Sequence, residues 1–154
     1  MRSFFIGGSG ILDTVAGAAG GVRYMPMIKQ DEAEAFIAEM AQRLSENDRL
    51  LPGGYVYLSD LLGRPEVLRQ VGRLIANQYV GKEVTAVMTV ATKGIPIAQS
   101  VAMYLNVPFV IVRRDSKITE GSTVSVNYVS GSSARIEKME LSKRSLPENS
   151  KVLI

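Results

Sequence analysis

Val84-Thr85-Ala86-Val87-Met88-Thr89-Val90-Ala91 runs into Thr92-Lys93-Gly94-Ile95-Pro96 and on into Ile97 and Ala98, and this stretch decides the fold. Residues 84–91 are rich in β-branched side chains and almost continuously apolar, as in a strand buried on both faces. Residues 92–96 read as a tight turn. Ile97, Ala98, Val101, Ala102 and Leu105 then predict a helix of about 10 residues. Asn106-Val107-Pro108 stops that helix, and residues 109–112 are a second apolar strand. Strand, helix and strand at this spacing predict a right-handed βαβ unit with parallel strands. The expected class is α/β with a mainly parallel sheet.

The same stretch contains the leading candidate site, Thr92, Lys93 and Gly94. In a parallel α/β sheet, ligands collect at the carboxyl ends of the strands. The turn also opens a helix, whose free amides and dipole attract anions. Gly94 allows close backbone approach, and Lys93 adds a full positive charge. Together these describe a phosphate or pyrophosphate cradle, although the spacing is neither that of a P-loop nor of a dinucleotide fingerprint. The alternative is that Gly94 and Pro96 merely shape a βα turn.

Downstream, Arg113 and Arg114 follow the second strand and should emerge at the same sheet edge. Residues 122–128 alternate, with Val124, Val126 and Tyr128 on one side, and residues 135–142 can pair back after the turn Ser130-Gly131-Ser132-Ser133. With Lys117 in its approach, this hairpin reads either as a mobile cover for an anion site or as a plain exposed hairpin. Lys151-Val152-Leu153-Ile154 begins what reads as another buried strand.

Upstream, Pro65 opens a helix with Val67, Leu68, Val71, Leu74, Ile75 and Tyr79 on one face. Before it, Leu51-Pro52-Gly53-Gly54 breaks the chain, and residues 55–58 are briefly extended. Ala33, Phe36, Ile37, Met40, Ala41 and Leu44 mark an earlier amphipathic helix, with Asp31, Glu32 and Glu34 near its start. Residues 7–26 are rich in glycine and predict a hairpin: Ile11, Leu12 and Val15 on one arm, Val22-Arg23-Tyr24 on the other. Such a hairpin could be a nucleic-acid wing, with Gly20 and Gly21 in its turn and Arg23 near its tip.

Composition narrows the chemistry. The 154 residues, 16.7 kDa, suit one domain better than two. With no Cys and no His, disulfide scaffolds, thiolate zinc sites and a Ser-His-Asp triad are excluded. Lys and Arg balance Asp and Glu over residues 1–112, so the whole +3 net charge falls in residues 113–154. A local positive field of this kind favours an anionic ligand or a nucleic-acid backbone, or is simply a solvated basic surface. No apolar run approaches the ~20 residues needed to cross a bilayer. Residues 1–19 only faintly imitate a leader, so a cytoplasmic location is expected.

Taken together, these segments resemble one family. Val90-Ala91-Thr92-Lys93-Gly94-Ile95-Pro96 is similar to the pyrophosphate loop of type I phosphoribosyltransferases, and residues 113–145 resemble that fold's flexible-loop hairpin. Gly17-Ala18-Ala19-Gly20-Gly21-Val22, followed by Leu51-Pro52-Gly53-Gly54-Tyr55-Val56-Tyr57-Leu58, resembles more narrowly the purine operon repressors of Gram-positive bacteria. The resemblance implies a cytoplasmic, homodimeric transcription regulator without catalytic residues. Its phosphoribosyltransferase-like domain would sense phosphoribosyl pyrophosphate with Mg²⁺, with guanosine tetraphosphate-type nucleotides competing. Residues 1–28 would carry the DNA-binding wing as a remnant of a winged helix, and residues 29–154 the effector domain. Thr92, Lys93 and Gly94 would hold pyrophosphate, Tyr55 would line the pocket, and Arg113 and Lys117 would flank it. Gly20, Gly21 and Arg23 would face nucleic acid. No resident metal and no membrane are implied.

Two pieces of the family pattern fall outside the chain. A strand ending in two acidic residues, followed by a Gly-Gly-Thr/Ser loop, would start after Ile154. The major-groove helices would precede residue 10. The expectation is therefore a fragment truncated at both ends. The alternative function is a true phosphoribosyltransferase acting on a purine base.

Overall fold

Val80 closes the first of two units, Met1–Val80 and Gly81–Ile154. The computed structural model describes residues 2–6, 10–114, 121–131 and 134–154.

In the first unit, Arg2–Ile6 (β1), Gly10–Val15 (β2) and Gly21–Pro26 (β3) form an antiparallel sheet in that order. The glycine-rich hairpin is thus present, and β1 extends it into a third strand that the sequence did not suggest. Ile11 and Met25, partners in register, are buried on it. The predicted first helix is Gln30–Leu44 (α1), with Asp31 and Glu32 favourably placed at its positive end. None of its residues is buried: Phe36 and Met40 are half-covered, while Ile37 stays exposed.

Leu50–Leu51 (β4) and Tyr55–Val56 (β5) pair across Pro52-Gly53-Gly54, so the predicted chain break is a short hairpin. Gly53 and Gly54 both take positive φ, +82° and +78°, which favours glycine there. Ser59–Leu62 (α2) leads to Pro65–Asn77 (α3), where Pro65 opens the helix and Val67, Gly72 and Ala76 are buried.

The end of β3 is tied to α3. Ile28 N–H donates to Asn77 Oδ1 at 2.7 Å, and Asn77 Nδ2 donates to the Pro26 carbonyl at 3.3 Å. Arg73 on α3 also pairs with Glu32 on α1 at 2.8 Å. The boundary expected near residue 28 is bridged by these bonds.

The second unit contains the βαβ arrangement. Ala86–Val90 (β6), Ile95–Leu105 (α4) and Phe109–Val112 (β7) follow one another, and β6 and β7 pair in parallel from Val87 opposite Phe109 to Val90 opposite Val112. The strand is shorter than the apolar run and the helix starts two residues earlier than predicted. Ala86 and Val87 on β6, Ala98, Val101, Ala102 and Leu105 on α4, and Val110 and Val112 on β7 form the buried core. Each fully buried Val or Leu contributes about 1.5–3 kcal/mol of apolar transfer.

Asn106 ends α4 in the left-handed region, with φ 54°. Val107 N–H returns to the Ala102 carbonyl at 3.1 Å and Asn106 N–H to Met103 at 3.3 Å, which satisfies carbonyls the helix leaves open.

Thr123–Val129 (β8) and Ile136–Ser142 (β9) form the predicted polar hairpin, with Val126 opposite Met139 and Tyr128 opposite Glu137. It joins the sheet through Arg113 and Glu140, whose backbones exchange hydrogen bonds of 2.8 and 2.7 Å. Val152–Leu153 (β10) pairs in parallel with the other side of β6, so the sheet runs β10-β6-β7.

Candidate anion-binding site

At the carboxyl end of β6 the chain turns through residues 91–94 into α4. Ala91 N–H is held by the Val112 carbonyl at 2.9 Å, which fixes the start of the turn against β7. The peptide between Ala91 and Thr92 is cis. Ile95 N–H closes the turn onto the Thr92 carbonyl at 3.2 Å, and Ala98 N–H makes the first helical bond to Gly94 at 2.9 Å. Among the described residues, no backbone carbonyl accepts from the amides of Thr92, Lys93 or Gly94. Pro96 has no N–H, and no side chain caps the helix. The opening of α4 therefore offers donors and the positive end of a helix dipole. Thr92 and Lys93 are exposed.

Gly94 is explained by space rather than by dihedral freedom. Its φ of −72° and ψ of −16° suit any residue. However, a β-carbon there would lie 2.2 Å from Thr89 Oγ1. The turn sits directly on the Thr89 side chain, a support the sequence pattern could not show because Thr89 reads as one more strand residue.

Arg113 follows β7 at this same sheet edge, next to the Val112 carbonyl that receives Ala91. Thr92, Lys93, Gly94 and Arg113 are thus brought together in one unit. Arg114 comes next, its Nη1 3.5 Å from Glu137 Oε2 on β9. Tyr128 donates its hydroxyl to that same oxygen at 2.6 Å. The hydrogen bond to Glu137 and then burial push the Tyr128 phenol above its ordinary range. Lys117 lies outside the described residues.

Tyr55 belongs to the other unit. It stands on β5, 65% exposed, with its ring edge 3.2 Å from where a β-carbon on Gly53 would be. A clamp not suggested by the sequence holds the base of its hairpin. Arg49 Nη1 and Nη2 donate to the two oxygens of Asp60 at 2.8 and 2.9 Å, and Arg49 Nη1 also reaches the Tyr57 carbonyl at 3.2 Å. The Arg49 hydrogen bonds, followed by its charge, lower the Asp60 carboxyl to about 2. Arg and Asp eleven positions apart give no local sequence signal.

In the glycine hairpin, Gly20 N–H bonds to the Gly17 carbonyl at 2.9 Å, and Gly21 opens β3 opposite Val15. Arg23 is not at the tip. It stands in the third pair from the turn, facing Asp13, and its Nη2 donates to Asp13 Oδ2 at 2.9 Å. Asp13 and Arg23 are the only charged residues of 10–26, so this hairpin carries no net charge. The long-range pairing that creates this cancellation is set by strand register.

Among the described residues, no group of three or more His, Cys, Asp or Glu could hold a metal ion, and no helix is long and apolar enough to cross a membrane.

The chain is 60% identical over 147 residues to the purine biosynthesis transcriptional repressor of Bacillus subtilis (strain 168), covering 96% of this chain and 52% of that protein. It is 56% identical over 153 residues to the purine biosynthesis transcriptional activator of Lactococcus lactis subsp. lactis (strain IL1403), covering 99% and 56%. The chain thus spans about half the length of the curated relatives it matches. In fold, it is similar to adenine phosphoribosyltransferase from Saccharomyces cerevisiae, with a TM-score of 0.63 at 16% identity over 77% of this chain and 69% of that one. Residues 58–154 match the phosphoribosyl transferase domain, and the chain therefore belongs to that family.

Proposed function

We propose that this chain serves transcriptional regulation of purine biosynthesis genes, through a phosphoribosyltransferase-like domain that senses a phosphorylated effector rather than turning one over. The observation that carries the reading is the 60% identity to a purine biosynthesis repressor along 96% of the chain. The effector of best chemical fit is phosphoribosyl pyrophosphate, with guanosine tetraphosphate-type nucleotides as competitors, since both present a pyrophosphate.

The turn at residues 92–94 suits that group. Backbone amides face it, Lys93 adds charge, and the space above Thr89 stays open only while residue 94 is glycine. Mg²⁺ would arrive with the diphosphate and supply charge neutralisation, consistent with its habit of binding through substrate phosphates. Arg113 would face the same group from β7. Tyr55 is kept as a proposed ligand-lining residue of its own unit, and Lys117 as a proposed residue of the hairpin approach.

The regulator acts as a cytoplasmic homodimer in this reading, with DNA as its macromolecular partner. The hairpin around Gly20, Gly21 and Arg23 contributes backbone contacts rather than charge, because Asp13 already neutralises Arg23. Such contacts position a protein on DNA without reading bases.

Family membership keeps a second reading in view, a transferase that joins a purine base to the ribosyl group and releases pyrophosphate. Calorimetry with phosphoribosyl pyrophosphate and Mg²⁺, alongside a pyrophosphate-release assay with purine bases, separates the two. The sensor reading expects binding heat and no release. Pyrophosphate release would establish the transferase, and absence of both would reject the effector.

A further inference from the structure

Arg114 lies one residue beyond Arg113, past the carboxyl end of β7, at the sheet edge where Ala91 enters the turn at 92–94. Its guanidinium is not left to solvent alone, because Glu137 Oε2 on β9 lies 3.5 Å from Nη1. Glu137 is in turn held from across the strands by the Tyr128 hydroxyl at 2.6 Å, in the directly opposed pair Tyr128 and Glu137. A carboxylate anchored in this way is aimed at the arginine by the hairpin's own register. The pair is also open to exchange: the Arg114 side chain is 63% exposed, and exposed ion pairs are weak and screened by salt.

We propose that Glu137, held in place by Tyr128, acts as an internal counter-ion for Arg114 and competes with the incoming pyrophosphate group for it. Binding of a polyphosphate at the 92–94 turn draws Arg114 from Glu137, loosening a tie between the β8–β9 hairpin and the chain that follows β7. The backbone bridge between Arg113 and Glu140 remains. Occupancy of the site is thereby transmitted to the hairpin. This inference rests on the anion-site reading above and assigns roles to two hairpin residues, Glu137 and Tyr128, that do not touch the anion.

The test is a double-mutant cycle with Mg²⁺-pyrophosphate as the probe, on the wild type, E137Q, R114Q and the double variant. Glu137→Gln keeps an acceptor for Tyr128 while removing the competing charge. The expected result is about two- to fivefold tighter pyrophosphate binding in E137Q, scaled from the strength of an exposed pair. That gain should vanish in the R114Q background. A gain that persists without Arg114 would reduce Glu137 to a general electrostatic influence and overturn the proposal, as would unchanged or weaker binding in E137Q. A ligand-free readout accompanies it: NMR titration of the Tyr128 phenol should shift down in E137Q and up in R114Q. If those shifts appear and none of the four proteins binds pyrophosphate, the latch exists but the anion-site reading fails, and competition with it. If the shifts are absent, the Arg114–Glu137–Tyr128 contact itself is refuted.

Discussion

Gly94 rests on Thr89: a β-carbon at residue 94 would stand 2.2 Å from Thr89 Oγ1 and 3.5 Å from Thr89 Cβ. The short distance belongs to a hydroxyl that can be removed, whereas the longer one is ordinary contact. Gly94→Ala should therefore lift the turn, costing about 1–3 kcal/mol in stability and about tenfold in pyrophosphate affinity through a displaced donor. Thr89→Ala in the same chain should restore most of both. Urea denaturation and calorimetry on the single and double variants check this coupling.

The glycines of the first hairpin should differ sharply from one another. A β-carbon on Gly20 would lie 2.0 Å from the Val15 carbonyl oxygen, a backbone atom that cannot rotate away, while Gly21 has nothing within 4 Å. Gly20→Ala is expected to destabilise the N-terminal unit by about 1–3 kcal/mol. Gly21→Ala should stay within about 0.5 kcal/mol. Denaturation followed by hydrogen exchange on β2 and β3 gives the comparison.

Acid should weaken the Tyr55 hairpin over a defined interval. Asp60 is lowered from 3.8 to about 2 by Arg49, so the folded state holds its carboxylate ionised where the unfolded chain would already take up a proton. The pair's contribution is complete above about pH 4 and fades as pH falls toward about 2. Asp60→Asn should abolish that part of the acid dependence. Carboxyl NMR titration of the wild type should place the Asp60 midpoint well below the usual Asp range.

Burial predicts an asymmetry between the two units. Val110 is 1% exposed in the α4–sheet core, whereas Ile37 on α1 is 57% exposed. Val110→Ala should cost about 2 kcal/mol by leaving a cavity, and Ile37→Ala should remain within about 0.5 kcal/mol. Chemical denaturation of the two variants decides it.

The parts legible in sequence were those with local causes. Residues 84–112 announced strand, turn, helix and strand because apolar runs, Gly94, Pro96 and Pro108 are all short-range signals. The anion-site candidates at 92–94 and Arg113 followed, since each sits at a strand's carboxyl end. What escaped were relations that only register or packing creates. Arg2–Ile6 carries no alternation and sits next to glycines, yet it pairs with β2. Arg23 looked available until the ladder placed Asp13 opposite. The Arg49–Asp60 clamp, the Thr89 shelf and the Tyr128–Glu137 pair likewise join residues whose partners depend on the folded chain.

The turn at residues 92–94 is proposed to bind a pyrophosphate group. The most direct measurement is backbone NMR of the chain during addition of Mg²⁺-pyrophosphate, repeated with Lys93→Ala. The largest shifts are expected at the amides of Thr92, Lys93 and Gly94 and at Arg113, with about tenfold weaker binding in the variant. Shifts centred elsewhere, or equal affinity without Lys93, would contradict it.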